Sequence, residues 1–546
     1  NTTGARNTAV GYTSLDENTT GGDNIAMGYS ALGHNTTGGN NSALGYISLA
    51  NNTTGNYNTG VGHSSLSQNT TASYNTAVGT TALYLNTTGG NNVATGYEAL
   101  YNNTTGGENN AFGMRSLKAN TTGKFNNAVG YSALFTNQTG WNNNAFGYSA
   151  LRFNTASYNS AFGDSALYNN TTGQRNTGTG VWSLYTNTTG SYNTACGLGA
   201  LYYNTTASNN TAIGVSALYK NTTASYNTAV GMEALYYNTT GTQHTAVGYQ
   251  ALYNNTTASG VTAVGFQASH NNTSGGYSTA IGEQAARQTT TGVYNTALGH
   301  MAMYNSTVGS ENTAIGFKCM YGTGSSYYYN TAVGRHSMYQ ISSGQRNTAI
   351  GYNSLQALTT GYYNVGLGMY AGDTTTTGSS NISIGYGANP TSATASNQLN
   401  IGGWIKGDNG KIDIQEQRTS PGGGLYAGEF VSYIQGTGWT DVLRINFDNS
   451  SWGSVTINVQ FPGNSSGSTS VFQQVSVRGY SAYNGGIVTY SDISGEGSSY
   501  FNWVSESNGN IKLQLKTQYA TDDAAVRISY TMNHRTSQSC TIDNLT

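Results

Sequence analysis

An apolar residue followed by glycine recurs through the first three quarters of the chain with a period of 17 residues. The glycine falls at Gly11, Gly28, Gly45, Gly62 and so on to Gly402, giving 24 copies. The step shrinks once to 16, from Gly147 to Gly163, and grows once to 18, from Gly316 to Gly334. With this glycine as position 0, the repeat reads N-T-A-V-G-Y-x-A-L-Y-x-N-T-T-G-x-x. Position −1 is apolar in 22 of 24 copies, Thr95 and Thr179 being the departures, and position +4 is Leu in the first fifteen, Leu15 to Leu252. Positions −2 and +3 are small, mostly Ala or Ser. The pattern predicts an interior lined by both large apolar columns: Val10 with Leu15, Val78 with Leu83, Val230 with Leu235, Ile350 with Leu355. Position +1 is often Tyr, as in Tyr12, Tyr29 and Tyr46, yet it also takes His63, Asp164, Glu283 and Arg335. A column that accepts charge faces solvent.

A 17-residue unit is too short for two helices and a turn, and recurrent Gly and Asn interrupt a helix. Short runs such as Thr-Ala-Val-Gly-Tyr between Asn-Thr-Thr-Gly turns read as strand and turn, and tandem units of this size mark a solenoid. Asn occupies position −4 in 20 of 24 copies and position +7 in the first sixteen, which predicts ladders of stacked amides. At about 4.8 Å per coil the array would form a column of about 110 Å. The three prolines, Pro390, Pro421 and Pro462, follow the main array, so no ladder donor is lost inside it. Two large apolar side chains per coil stand against an ordering cost of about 1–2 kcal/mol per residue. Side-by-side association would bury more, and a homotrimer is expected.

The repeat fails after Gly402, where Lys406 stands at the Leu position. Residues 403–428, with Gly422-Gly423-Gly424, read as a linker. Beyond them, 429–434, 442–447, 455–461, 471–477, 487–490, 500–504, 511–515 and 526–530 alternate apolar and polar residues between Gly, Ser and Asn turns. Some eight short strands predict an antiparallel β-sandwich or jelly roll over residues 429–546. The expected fold class is therefore all-β: a parallel β-solenoid over 1–402, then a linker and a sandwich.

Two strings, Asn75-Thr76-Ala77-Val78-Gly79 and Gly248-Tyr249-Gln250-Ala251-Leu252-Tyr253-Asn254-Asn255-Thr256-Thr257, resemble the repeats of bacteriophage and cyanophage tail-fibre proteins. They are also similar to the head repeats of YadA-like trimeric autotransporter adhesins. The segment Gln398-Leu399-Asn400-Ile401-Gly402-Gly403-Trp404-Ile405 resembles the closing segment of such fibre arrays. The resemblance covers residues 1 to about 410 and implies a left-handed β-roll, a trimer, and a fibre on a cell surface or virion. The 17-residue period exceeds the adhesin coil, and no membrane anchor or self-cleaving chaperone is recognisable, which favours the phage type.

Composition narrows the function. Charged residues are 8% of the 546, against about 25% in ordinary domains, with 74 Gly, 43 Tyr and a net charge of −2. Without a basic run, neither nucleic acid nor a membrane surface is an expected partner, and no apolar run approaches membrane-span length. Cys196, Cys319 and Cys540 have no metal-ligand spacing and read as inert thiols, a disulfide between chains being the alternative. The chain opens within a repeat, at Asn1-Thr2-Thr3-Gly4, and further sequence is expected before it.

No catalytic or cofactor motif is found. The scattered His34, His63, His244 and His300 are predicted to lie on a solvated surface. Asp408-Asn409-Gly410 with Asp413 is a polar turn short of a calcium loop. Asn-Thr-Thr matches the N-glycosylation pattern, with Asn18 and Asn35 as candidates, although turn chemistry explains the strings. The sandwich holds Trp439, Trp452, Tyr480, Tyr483 and Trp503, candidate contacts for a host-surface glycan. The expected function is a structural fibre whose shaft projects a binding tip. A purely structural filament subunit is the alternative. A polysaccharide depolymerase would need paired carboxylates over a groove, and residues 1–402 hold only ten acids. An ice-binding solenoid would need outward Thr-x-Thr rows, whereas the recurrent threonines are adjacent.

Overall fold

The computed structural model describes residues 2–322, 324, 326–408 and 411–414, and beyond these the strands 425–434, 440–447, 452–460, 472–480, 488–493, 501–505, 511–515, 524–534 and 540–544; side chains are described up to residue 408. No helix occurs among the described residues. The chain divides into two units, Asn1–Asp413 and Ile414–Thr546.

In the first unit each coil gives one three-residue strand, positions −3 to −1, from β1 (Thr8–Val10) to β23 (Ile382–Ile384). Successive strands pair in parallel with like positions opposed: Thr228 meets Thr245, Ala229 meets Ala246, Val230 meets Val247. The result is a parallel β-solenoid of about 23 turns. β24 (Gln398–Ile401) extends the ladder and turns back antiparallel on β25 (Ile405–Asp408).

The interior departs from expectation in one column. Leu15, Leu83, Leu235 and Leu355 are buried, as are the alanines at −2 and +3 beyond the first coil, where Ala9 is exposed. Val10, Val78 and Ile350, predicted to be internal, point outward and are 55%, 37% and 44% exposed, and Val230 is only half-buried. Neighbouring side chains on a strand take opposite faces, so Ala at −2 and Val at −1 cannot both enter the coil. The Leu at +4 already fills the narrow interior, and the wall facing it must be small. Each of the first fifteen coils thus encloses one large apolar side chain at these two positions, not two. Later coils add a second from +7, Ile341 beside Met338 and Leu358 beside Leu355.

Leu reaches that place from a left-handed backbone, with φ of 51° at Leu32 and 53° at Leu134. Positions −5 and +2 are left-handed too, as at Tyr74 (62°) and Thr81 (53°). Such residues cost about 1 kcal/mol or more each, and they turn the corners that bring the chain back over itself. Only position 0 requires glycine outright. At Gly130, φ is 132°, and an added Cβ would lie 2.3 Å from the carbonyl oxygen of Gly147 in the next coil.

Amides occupy the rest of the interior. At +7, Asn52 Nδ2 donates to Asn35 Oδ1 at 2.8 Å and to its own turn at Gly55 O at 3.0 Å. At −4, Asn41 Oδ1 accepts the backbone N–H of Asn58 at 2.9 Å, and Asn41 Nδ2 also donates to Gly55 O at 2.9 Å. In the coils that carry both Asn residues the two columns converge on one carbonyl, which satisfies most of the buried amides. The +7 ladder breaks after Asn255, whose Oδ1 has no partner among the described residues. Asn18 and Asn35, the glycosylation candidates, belong to this ladder. Both are buried, and Asn35 Nδ2 is committed to Asn18 Oδ1 at 2.7 Å and Gly38 O at 2.9 Å. A folded shaft has no room for a glycan there.

Both irregular steps fall in the turn between +7 and −4. In the short coil Asn154 and Asn159 are five residues apart, and Asn159 Nδ2 donates across to Asn154 Oδ1 at 3.2 Å. In the long coil the column lacks Asn, and the ring of Tyr327 enters the interior with its hydroxyl donating to Met320 O at 2.9 Å.

In the second unit the strands form two antiparallel sheets. One has the order β27 (Leu425–Ile434), β34 (Ala524–His534), β29 (Trp452–Gln460), β30 (Phe472–Tyr480), β31 (Val488–Ile493). The other runs β32 (Phe501–Ser505), β33 (Ile511–Leu515), β28 (Thr440–Phe447), β35 (Cys540–Asn544). Most are longer than the sequence pattern predicts, and β35 has no counterpart in it.

Gly130→Ala is expected to open its coil, because the new methyl meets backbone on two sides of an unfavourable φ. Leu134→Ala should cost about 2–5 kcal/mol by emptying the one apolar site of a coil. Hydrogen exchange over residues 126–151, slow in the wild type, should accelerate in both variants. Unchanged protection in Leu134→Ala would contradict this placement of the core.

Candidate functional surface of the shaft

The outward face of the strands carries positions −3 and −1, mostly Thr beside an apolar residue. Met27, Phe112, Phe146, Phe162, Ile213 and Leu298 are all exposed on it. Stacking in register holds Phe146 and Phe162 face to face, with centroids 4.9 Å apart. The −1 side chains range from Cys and Thr to Phe, so the stripe is apolar except at Thr95 and Thr179 and uneven in height. Exposed Cys196 lies in it, between Thr179 and Ile213.

The same register builds aromatic ladders on other faces. At +1, Tyr12, Tyr29 and Tyr46 are exposed and stacked, 5.4 and 5.1 Å apart. The longest ladder is at +5, from Tyr168 through Tyr185, Tyr202, Tyr219, Tyr236 and Tyr253 to His270, with centroids between 5.1 and 5.3 Å apart. Burial within the stack and the neighbouring phenols raise the pKa of Tyr202 and Tyr236. Cations cap some rings: Lys220 Nζ lies 4.4 Å from the centre of Tyr203, and Arg175 lies between Tyr158 and Tyr192 at 5.5 and 5.4 Å. Rings stacked on rings have their faces occupied and present edges to solvent.

Three of the four histidines singled out reach the surface. His34 and His63 are exposed, and half-buried His300 stacks on Phe317 at 5.2 Å. His244 does not, contrary to expectation. It occupies the −4 column in place of Asn and is buried. Its Nε2–H donates to Ala258 O at 2.6 Å, as an Asn Nδ2 would, and its Nδ1 accepts the Val261 N–H at 3.2 Å, as Oδ1 would. Burial lowers its pKa from 6.5 to about 4. Cys319 is likewise internal, and burial pushes its thiol up to about 12. Among the described residues no three His, Cys, Asp or Glu side chains come together as a metal site.

The sequence-predicted tip contacts Trp439 and Tyr483 lie outside the described residues, as do Asn409 and Gly410. Trp452, Tyr480 and Trp503 are placed on strands β29, β30 and β32; their side chains lie outside the description. Among the described residues no helix is long and apolar enough to cross a membrane. Comparison with models of protein families, with curated proteins and with solved structures finds no match.

The depressed pKa of His244 fixes the sign of a pH effect. Between pH 6.5 and about 4 the unfolded chain takes up the proton before the folded one. Stability from this group is complete above pH 6.5 and falls as the pH drops towards 4, by up to about 3 kcal/mol. Denaturant melts at pH 7 and pH 4 should show this loss in the coils around residue 244, and His244→Asn should remove it.

Proposed function

We propose that the chain is the shaft and tip of an extracellular or virion fibre that assembles as a homotrimer through the apolar −1 column, leaving the −3 side of the strand face open. The observation that carries this reading is the −1 column, apolar in 22 of 24 copies yet outside the coil. A column under no constraint but solvation would drift to polar residues, as +1 does. Each such side chain would lose on the order of 50 Å² on contact, so the column as a whole would bury on the order of 1,100 Å² per chain over its two neighbours, comparable with the roughly 800 Å² that one side of a standard interface gives up. The number of copies and the left-handed coil come from the likeness to tail-fibre and adhesin repeats. In this reading the shaft is not an enzyme and takes no cofactor, nucleic acid or membrane. Its second unit is an antiparallel sandwich or jelly roll that attaches to a host-surface glycan, with Trp439, Trp452, Tyr480, Tyr483 and Trp503 as candidate contacts. Removal of residues 429–546 should abolish binding to host cells and leave assembly intact.

Light scattering on the full chain should give three times the 57.2 kDa of one chain. Ile213→Asp with Ile281→Asp, both on the outward face, should weaken association at least tenfold, about 1.4 kcal/mol, with the β circular dichroism unchanged. A wild-type mass of 57.2 kDa at micromolar concentration would refute assembly through this stripe.

A further inference from the structure

Position −3 is Thr in most coils and Asn in three, which are consecutive: Asn110, Asn127 and Asn144, opening β7 (Asn110–Phe112), β8 (Asn127–Val129) and β9 (Asn144–Phe146). Their side chains form a directed chain. Asn110 Nδ2 donates to Asn127 Oδ1 at 2.8 Å, and Asn127 Nδ2 donates to Asn144 Oδ1 at 2.8 Å. Among the described residues this leaves Asn110 Oδ1 without a donor at one end and Asn144 Nδ2 without an acceptor at the other. Unlike the −4 and +7 ladders, this one is only half-buried.

Beside it runs the −5 corner column, here Asn91, Glu108, Phe125 and Asn142. The two columns enclose a groove of about 460 Å³ at the edge of the sheet. The side-chain amides of Asn91 and Asn142 and the carboxylate of Glu108 have no partner among the described residues. Phe125 is exposed and, unlike the tyrosine pairs Tyr57–Tyr74 and Tyr277–Tyr294 of the same column, has no stacked neighbour there. A second hollow of about 210 Å³ follows, lined by Thr122, Lys124, Thr139 and Trp141.

We propose that this groove binds a segment of neutral polysaccharide lying along the shaft axis. Sugar hydroxyls both donate and accept, and so do side-chain amides. The amides recur at one coil, about 4.8 Å, close to the length of one pyranose in an extended glycan. The free face of Phe125 offers an apolar platform for the C–H face of a sugar ring. The single carboxylate of Glu108 repels anionic glycans, and one carboxylate among amides is too little charge to strip water from a divalent cation. The site is independent of the second unit and of its proposed glycan contacts.

The test uses the full chain and a panel of neutral pentasaccharides (cellopentaose, mannopentaose, maltopentaose and chitopentaose) measured by titration calorimetry. Binding of at least one is expected. The variant Asn110→Thr, Asn127→Thr, Asn144→Thr gives these coils the residue most others carry, so folding is preserved, and its affinity should fall at least tenfold. Phe125→Ala should weaken binding by a similar factor, whereas Asn209→Ala, in the same corner column outside the groove, should leave it unchanged. Failure of every pentasaccharide to bind overturns the inference. Binding that survives the triple Thr variant also overturns it, by assigning the sugar to another part of the chain.

Discussion

Every feature of the shaft follows from one constraint: each residue lies one strand spacing, about 4.8 Å, from its own counterpart in the next coil. Parallel pairing in register, Ala229 against Ala246 and Val230 against Val247, makes a column of each repeat position. Whatever a position holds must stack on itself. Asn does so by passing a hydrogen bond along the column, Tyr by laying ring on ring, and Leu by filling a site of constant volume. Position 0 goes furthest, because the backbone of the next coil occupies the space of a Cβ. That glycine is the part of the repeat that cannot vary.

The constraint explains why so little apolar surface suffices. One Leu and two small residues make a poor core by the standard of a globular domain. Where both are present, the two buried Asn columns meet at a shared carbonyl, as at Gly55, and they supply directional bonds where apolar volume is short. Buried amides are costly only when unpaired, and here nearly all are paired by their equivalents, Asn255 Oδ1 at the end of the +7 ladder being an exception. Substitution is tolerated when it reproduces the donor and acceptor. The neutral imidazole of His244 does so, and protonation would break the match. Where Asn is lost altogether, Tyr327 brings a ring and a hydroxyl to the same interior.

Stacking also shapes the surface. Conserved columns become stripes along the shaft, and a change kept over a few coils becomes a local patch. The apolar −1 stripe runs the length of the array, and that length is the ground for proposing another copy of the chain as its partner. The amide chain Asn110–Asn127–Asn144 lasts three coils and suits a ligand of that length. A solenoid thus writes long interfaces and short sites with one grammar, and the run length distinguishes them.

The sequence by itself determined the period, a strand opening at −3 (read through +1, whereas it ends at −1), the Asn ladders, the exposed Tyr column and the burial of Leu at +4, because these depend on repetition and local chemistry. It did not determine which face of the strand looks inward. Hydrophobicity placed Val10, Val78 and Ile350 inside, whereas the coil admits Ala at −2 and turns them out. That choice depends on how far the opposite wall lies and on the Leu that already spans the gap, neither of which is a property of the strand. The burial of His244 was hidden for a similar reason, since imidazole resembles Asn only once the two bonding partners are in place. Tertiary structure decided what was inside; the repeat decided only that the same residue would be inside every time.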